Sequence, residues 1–310
     1  MELVRRAVID VGTNSIKLLV ADVRGREVTP IHEESKQTRL GKGFYETHQL
    51  QPESIAHTAA AVWEFSEIAR ERSAESIRVI ATSAARDAKN PRDLTDAIER
   101  ACGLKTEIIS GAREAEWAFQ GVATDTELAT HPLLLLDVGG GSTEFIVGQG
   151  TKKHFAHSFP LGTVRLMEKF PHSDPPTKAE FTKCRDWLRA FLNHEVHPQL
   201  EPALNNERGE IQLIGTGGTT SILARVEKKL DRFDRDKIER AVLTLEQVSA
   251  HRERLWSLPL AARKEIPGLP KQRADVILTG VLIFEAVMQE FSFKELRVST
   301  RGLRFAAVMD

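Results

Sequence analysis

Cysteine is nearly absent from this 310-residue chain: Cys102 and Cys184 are the only two, too few for a disulfide framework and without metal-type spacing. That predicts a reducing, cytoplasmic setting and two thiols that pack rather than ligate. Charge bias is missing as well, with 43 Lys and Arg against 44 Asp and Glu. So even a balance exerts no global pull on nucleic acid or on an acidic membrane surface, so neither is an expected partner and any anion site must be local. Long apolar runs are lacking: residues 7–10 and 133–136 are far too short to cross a bilayer, and no export or anchoring signal is expected. No low-complexity tract or heptad array occurs. The P-loop pattern G-x-x-x-x-G-K-[ST] is absent, and the run from Gly139 does not read G-x-G-x-x-G, which sets aside the two common nucleotide-binding fingerprints.

What is present reads as alternating α and β structure. Two β-type runs, one begun by Val8 and Ile9 and one over residues 16–23, flank a turn-like Asp-Val-Gly-Thr-Asn-Ser. Pro52 opens a helical pattern with Ile55, Ala59, Val62 and Ala69 on one face. A strand over 77–81, a helix over 92–102, a strand over 107–109 and a helix carrying Trp117 and Phe119 follow. The polar stretch 124–130 marks a boundary, dividing the chain into domains 1–128 and 129–301, with the terminal helix 302–310 a candidate to join the first. The second domain opens with another hairpin, 133–138 and 145–147 around Gly139-Gly140-Gly141-Ser142-Thr143. Then come a helical stretch over 164–170, a long amphipathic helix over 178–197, a strand over 211–214, a glycine turn and a helix over 221–229. Two helices centred on Val248 and Ile277 and a strand over 296–299 complete it.

An internal repeat is the strongest signal. Asp10-Val11-Gly12-Thr13-Asn14-Ser15-Ile16-Lys17-Leu18-Leu19-Val20 aligns without gaps to Asp137-Val138-Gly139-Gly140-Gly141-Ser142-Thr143-Glu144-Phe145-Ile146-Val147. Each copy sets an acid at a strand end, then small residues whose amides can converge on an anion, then a hydroxyl. Ser15, Ser142 and Thr143 are candidate hydroxyl donors. Gly217, Gly218 and Thr219 form a third such turn, between a strand and a helix whose first amides attract anions.

At these residues the chain resembles the exopolyphosphatase and guanosine-pentaphosphate phosphatase family, of the actin, sugar-kinase and heat-shock-chaperone superfamily. The resemblance extends to Ala81-Thr82-Ser83-Ala84-Ala85-Arg86-Asp87-Ala88-Lys89-Asn90, to Ile109-Ser110-Gly111-Ala112-Arg113-Glu114-Ala115 and to Pro160-Leu161-Gly162-Thr163-Val164-Arg165-Leu166. It implies two actin-like (ribonuclease H-like) domains, each a mixed sheet flanked by helices, with an interdomain cleft. It places the catalytic carboxylate on Glu114, which would activate the attacking water. Arg113 stands where the family has an acid, and is expected to lower the Glu114 pKa or help hold substrate. Phosphate contacts are expected from Gly12, Thr13, Asn14, Ser15, Lys17, Arg39, Arg86, Gly139, Gly140, Gly141, Ser142, Thr143, Gly217, Gly218 and Thr219. Asp137 and Glu144, with Asp10 as a further candidate, are the expected ligands of Mg²⁺ or another divalent cation.

The implied activity is hydrolysis of the terminal phosphoanhydride bonds of inorganic polyphosphate, with pppGpp as the alternative substrate; a homodimer is the implied assembly. An actin-like-fold kinase and a non-catalytic sensor of pppGpp or polyphosphate are the remoter readings. The long helical extension of larger family members is not found beyond Gly302-Leu303-Arg304, which adds weight to short polyphosphate or pppGpp. Thr300 and Phe305 stand where acids are common in the family.

Overall fold

The computed structural model describes residues 2–310. The chain folds into two compact units, one comprising residues up to Asp125 with Gly139–Gly141 and Arg301–Asp310, the other Thr126–Val138 and Ser142–Thr300.

The first unit is built on a five-stranded mixed sheet: β1 (Val4–Val11), β2 (Ile16–Arg24), β3 (Glu27–Lys36), β4 (Ser76–Ala81) and β5 (Thr106–Ile108), in the order β3-β2-β1-β4-β5. The first three strands form an antiparallel meander, and β4 and β5 add parallel to it. Ala7, Ile9 and Val11 pack with Ile55, Ala59 and Val62 of the helix Pro52–Glu71, whereas Val8 joins Leu19, Trp117 and Phe305 in a separate core. A strand covered on both faces must be apolar at consecutive positions, which is why residues 7–9 read as a run rather than an alternation. Residues 301–310 supply Leu303, Phe305 and Val308 to that second core, so the last turn of chain completes the first unit.

β3 was not anticipated. Its sequence EVTPIHEESK has Pro30 and repeated charges, and Val28 is its buried apolar residue. These traits suit an edge strand, where a missing N–H and exposed charges cost little.

The second unit repeats the plan with β6 (Leu133–Val138), β7 (Thr143–Gln149), β8 (Lys152–Phe159), β9 (Gln212–Thr216), β10 (Val242–Thr244) and β11 (Glu295–Val298), in the order β10-β11-β9-β6-β7-β8. Strand for strand, β8-β7-β6-β9-β11 matches β3-β2-β1-β4-β5, with β10 added at one edge. The repeat read in two hairpins therefore extends across a whole sheet. Its core gathers Leu134, Leu136, Phe145 and Val147 of the hairpin with Leu223, Phe284, Val287 and Leu296.

Two helical expectations need correcting. The helix centred by sequence on Ile277 instead begins there, as Ile277–Glu290, because a 3-10 turn, Lys271–Arg273, occupies the residues before it. The helix expected over 178–197 runs as Lys178–Phe191, opened by a Thr177/Glu180 capping box, widens into a π turn at Leu192–Val196, and continues as His197–Asn205. Pro198 lacks an amide donor, and a widened turn just ahead of it accommodates that loss without ending the helix. Among the described residues, no helix is long and apolar enough to cross a membrane.

Candidate functional site

The two hairpins place their acids at the same step of the ladder. Asp10 is paired directly across the strands with Lys17, and Asp137 with Glu144. Directly opposed residues share a sheet face, so the first copy sets an anion beside a cation and the second sets two anions together. Asp10 is buried, which pushes its carboxyl pKa above the ordinary range, an effect that Lys17 and Arg304 partly oppose.

The first bend is closed by the Gly12 amide donating to the Ser15 carbonyl at 3.1 Å. Residues 39–41 lie along it: the Arg39 amide donates to the Asn14 carbonyl at 3.0 Å and the Gly41 amide to that of Thr13 at 2.7 Å. Arg39 itself has φ 53°, a left-handed conformation in a side-chain-bearing residue. Thr13 Oγ1 and Asn14 Nδ2 are buried with no protein partner, the chemistry expected of donors awaiting an oxyanion. Gly141, within the same unit, has no space for a side chain, because a Cβ there would lie 2.3 Å from the Tyr45 hydroxyl and 2.4 Å from Ser83 Oγ.

Glu114 lies in the first turn of the helix Gly111–Val122, whose N-cap Ser110 accepts from the Arg113 amide at 3.2 Å. It is buried rather than solvated, 8 % exposed. Arg86, at the end of the short helix Ser83–Asp87, donates from Nη1 to Glu114 Oε2 at 2.8 Å and to the Ile109 carbonyl at 3.2 Å. Asp87 Oδ1 stands 3.7 Å from Arg86 Nε, so this arginine is held from both sides. Arg113 takes a different course from the one expected. Its guanidinium donates to Asp310 Oδ2 at 2.9 Å and lies over the Trp117 ring at 4.6 Å. Successive helix residues point about 100° apart, so adjacency in sequence does not bring Arg113 to the carboxylate that Arg86 already engages.

In the second unit, Glu144 is almost fully buried and accepts from Ser158 Oγ at 2.7 Å. Thr143 commits its hydroxyl proton to the Leu161 carbonyl, so the donor expected of that side chain is already spent within the unit. Gly217 has φ 91°, and a Cβ on it would stand 2.6 Å from Asp137 Oδ1. Only glycine permits both that backbone and that proximity. Thr219 is buried, its Oγ1 directed at Gly280. Arg273, which no motif singled out, has its guanidinium over this turn, with Nη2 3.2 Å from where a Gly218 Cβ would be. A lone arginine in Lys271-Gln272-Arg273 carries no spacing signal, and only the fold reveals its position.

Among the described residues, no group of three or more His, Cys, Asp or Glu forms a metal cluster. The Asp137 and Glu144 pair offers oxygen donors only, which fits a hard divalent cation that keeps part of its water shell. Asp10, with Lys17 and Arg304 already acting on it, fits less well. Three of the histidines are engaged elsewhere: His32 pairs with Glu34, His154 with Glu207, and His157 packs on Phe159. Thr300 donates its amide to Glu239 at 2.8 Å. Phe305 is core.

Comparison with known proteins bears on the family and the fold. Residues 19–309 match the Ppx/GppA phosphatase family. Exopolyphosphatase 2 of Mycobacterium tuberculosis is 35 % identical over 303 residues, covering 94 % of this chain and 92 % of its own. Exopolyphosphatase 1 of the same organism is 28 % identical over 310 residues, covering 98 % and 87 %. Among solved structures, an exopolyphosphatase from Cytophaga hutchinsonii superposes with a TM-score of 0.86 at 30 % identity, covering 97 % of this chain and 96 % of that one. The Aquifex aeolicus Ppx/GppA family member gives 0.79 at 30 % identity, covering 99 % and 97 %. The actin-like α/β fold implied by the resemblance is therefore the fold observed. With its duplicated sheets, its motifs and these relatives in agreement, the chain belongs to the Ppx/GppA phosphatase family and is a phosphoanhydride hydrolase.

Proposed function

We propose that this protein removes terminal phosphate from inorganic polyphosphate, releasing orthophosphate, as the names of its mycobacterial relatives indicate for them. The observation that carries the reading is the buried Glu114 carboxylate held by Arg86 at 2.8 Å in the family's own motif.

Phosphoryl transfer asks a protein mainly for positioning and charge neutralisation. Glu114 is the group that orients the attacking water and accepts its proton. Arg86 fixes the direction of that carboxylate. Lys17 and Arg39, with the amides and hydroxyls of residues 12–15, bind phosphate oxygens. The amides of Gly139–Gly141, which belong to the first unit, take the same task, as do those of residues 142 and 217–219 in the second, with Arg273 added to the cations. Asp137 and Glu144 would hold a divalent cation, which when bound neutralises phosphate charge and polarises the bond to be broken.

The test is a side-by-side measurement of orthophosphate release from tripolyphosphate, long polyphosphate and pppGpp over a series of divalent cations. Acceptor-independent release from tripolyphosphate, lost in Glu114→Gln, is the expected result. Preference for pppGpp by an order of magnitude in kcat/KM would transfer the assignment to the nucleotide. Release that requires an acceptor would turn it to a kinase.

A further inference from the structure

Hydrogen-bonding groups buried without a partner are rare in folded proteins, and a concentration of them in one strip calls for a cause. Thr13 Oγ1, Asn14 Nδ2, both amide atoms of Gln37, and Thr38 Oγ1 are all in that state. Thr13, Asn14 and Thr38 are each more than nine-tenths buried. The five atoms belong to one place. Ile16 is paired across the sheet with Lys36, which sets Gln37 next to the bend, and the Arg39 and Gly41 amides bond to the Asn14 and Thr13 carbonyls. Elsewhere, Thr106 Oγ1 and Arg263 Nε are single atoms on separate elements.

Left as they are, such groups cost free energy, since each has exchanged water for nothing. The backbone adds to that cost at Arg39, whose φ of 53° falls immediately after Thr38. A local structure that is both under-bonded and strained is what a preformed ligand site looks like before its ligand arrives.

We infer that Gln37 and Thr38 are substrate-binding residues that extend the first bend's phosphate cradle beyond the repeated motif. The two hydroxyls, the Asn14 amide and the Gln37 amide are donors, which suits the oxygens of a phosphate group. Gln37 Oε1 is an acceptor, so the group bound there also brings a proton donor, such as a water of the phosphate's hydration shell. The counterpart of this extension is missing from the second copy, because β7 and β8 are joined by Gly150 and Thr151 and β8 leads into Pro160-Leu161-Gly162, with no Gln-Thr pair. The inference rests on the reading of the first hairpin as a phosphate site.

The test uses the whole protein and two isosteric apolar variants, Thr38→Val and Gln37→Met, titrated with inorganic tripolyphosphate in the presence of chelator so that turnover does not intervene. Melting temperatures are recorded with and without the anion. The expected result is about tenfold weaker binding in each variant, the order of one hydrogen bond to a charged group, together with a ligand-free melting temperature that is unchanged or raised. A rise follows because an unpartnered polar group has been replaced by an apolar one of the same shape. Wild-type affinity in both variants would overturn the inference and leave the activity standing. So would a ligand-free melting temperature lowered by several degrees, because the atoms would then be satisfied internally, by buried water. If the parent protein neither binds nor hydrolyses tripolyphosphate, the phosphatase reading falls first and the inference falls with it.

Discussion

The Arg86 and Glu114 pair permits a test of asymmetry. Their side chains are 22 % and 11 % exposed and meet at 2.8 Å, so the bond is largely but not wholly shielded from water. Stripping one partner from a fully buried ion pair costs about 3–5 kcal/mol. With partial exposure, about 2 kcal/mol is the expected cost of Arg86→Met, which strands a carboxylate. Glu114→Gln is milder, about 1 kcal/mol or less, because the amide oxygen can still accept from Arg86 while the guanidinium keeps the Ile109 carbonyl. At about 2–4 °C per kcal/mol for units of this size, Arg86→Met should melt about 4–8 °C lower and Glu114→Gln about half that or less. Activity should invert the order. Glu114→Gln loses the group that accepts the proton and should lower kcat by about 10²- to 10⁴-fold with KM within a few-fold, whereas Arg86→Met should raise KM as well as lower kcat. The double variant should be less impaired than the sum of the two by about 1 kcal/mol or more in both readouts. Differential scanning calorimetry and steady-state phosphate release measure both. Strict additivity, or a Glu114→Gln enzyme that turns over like the parent, would refute the coupling and the assigned base.

Three further outcomes are expected. Asp10 has a folded-state pKa above its unfolded value, so the folded protein binds that proton more tightly and loses stability as pH rises through the window above the ordinary carboxylate range. Asp10→Asn should accordingly raise the melting temperature at neutral pH, with the gain vanishing as pH falls below about 4, in a pH series of thermal melts. Glu144→Gln and Gly217→Ala should each raise the half-saturating Mg²⁺ concentration about tenfold or more, the first by removing an anion and the second by pressing a methyl group towards Asp137 Oδ1, whereas Asp10→Asn should leave it within about twofold. Cys184 is fully buried, and burial pushes its thiol pKa up to about 12, so mass spectrometry after thiol alkylation at pH 8 should find it unmodified until the protein unfolds, with the half-buried Cys102 reacting first.

The hairpins were legible because a tight bend of small residues tolerates few residue types, so two copies stay alike even where their strands diverge. Edge strands carry no such constraint. β3 and β8 face water along much of their length, and sequences such as KKHFAHSF read as loops when taken alone. Their existence follows from the topology around them rather than from their own pattern. Glu114 and Arg86 were found through their motifs, and the structure supplies what the motifs lack, the bond between them. Arg113 shows that proximity along a chain is a poor guide to proximity around a helix, since Asp310, the residue it meets, lies 197 positions away. Arg273 and the Gln37-Thr38 pair went unseen for a related reason: their meaning comes from a neighbour brought in by tertiary folding.

The placement of residues 301–310 imposes an order on synthesis. Trp117 and the outward faces of β1 and β2 are covered by Leu303, Phe305 and Val308, which are made 186 or more residues after Trp117. At roughly 5–20 residues per second, the stretch between Trp117 and Leu303 keeps that apolar sheet face uncovered for about 10–35 s after Trp117 has been made. The nascent chain is most open to aggregation or chaperone capture in that interval, and a stop codon or a bulky fusion placed just after Thr300 would make the exposure permanent.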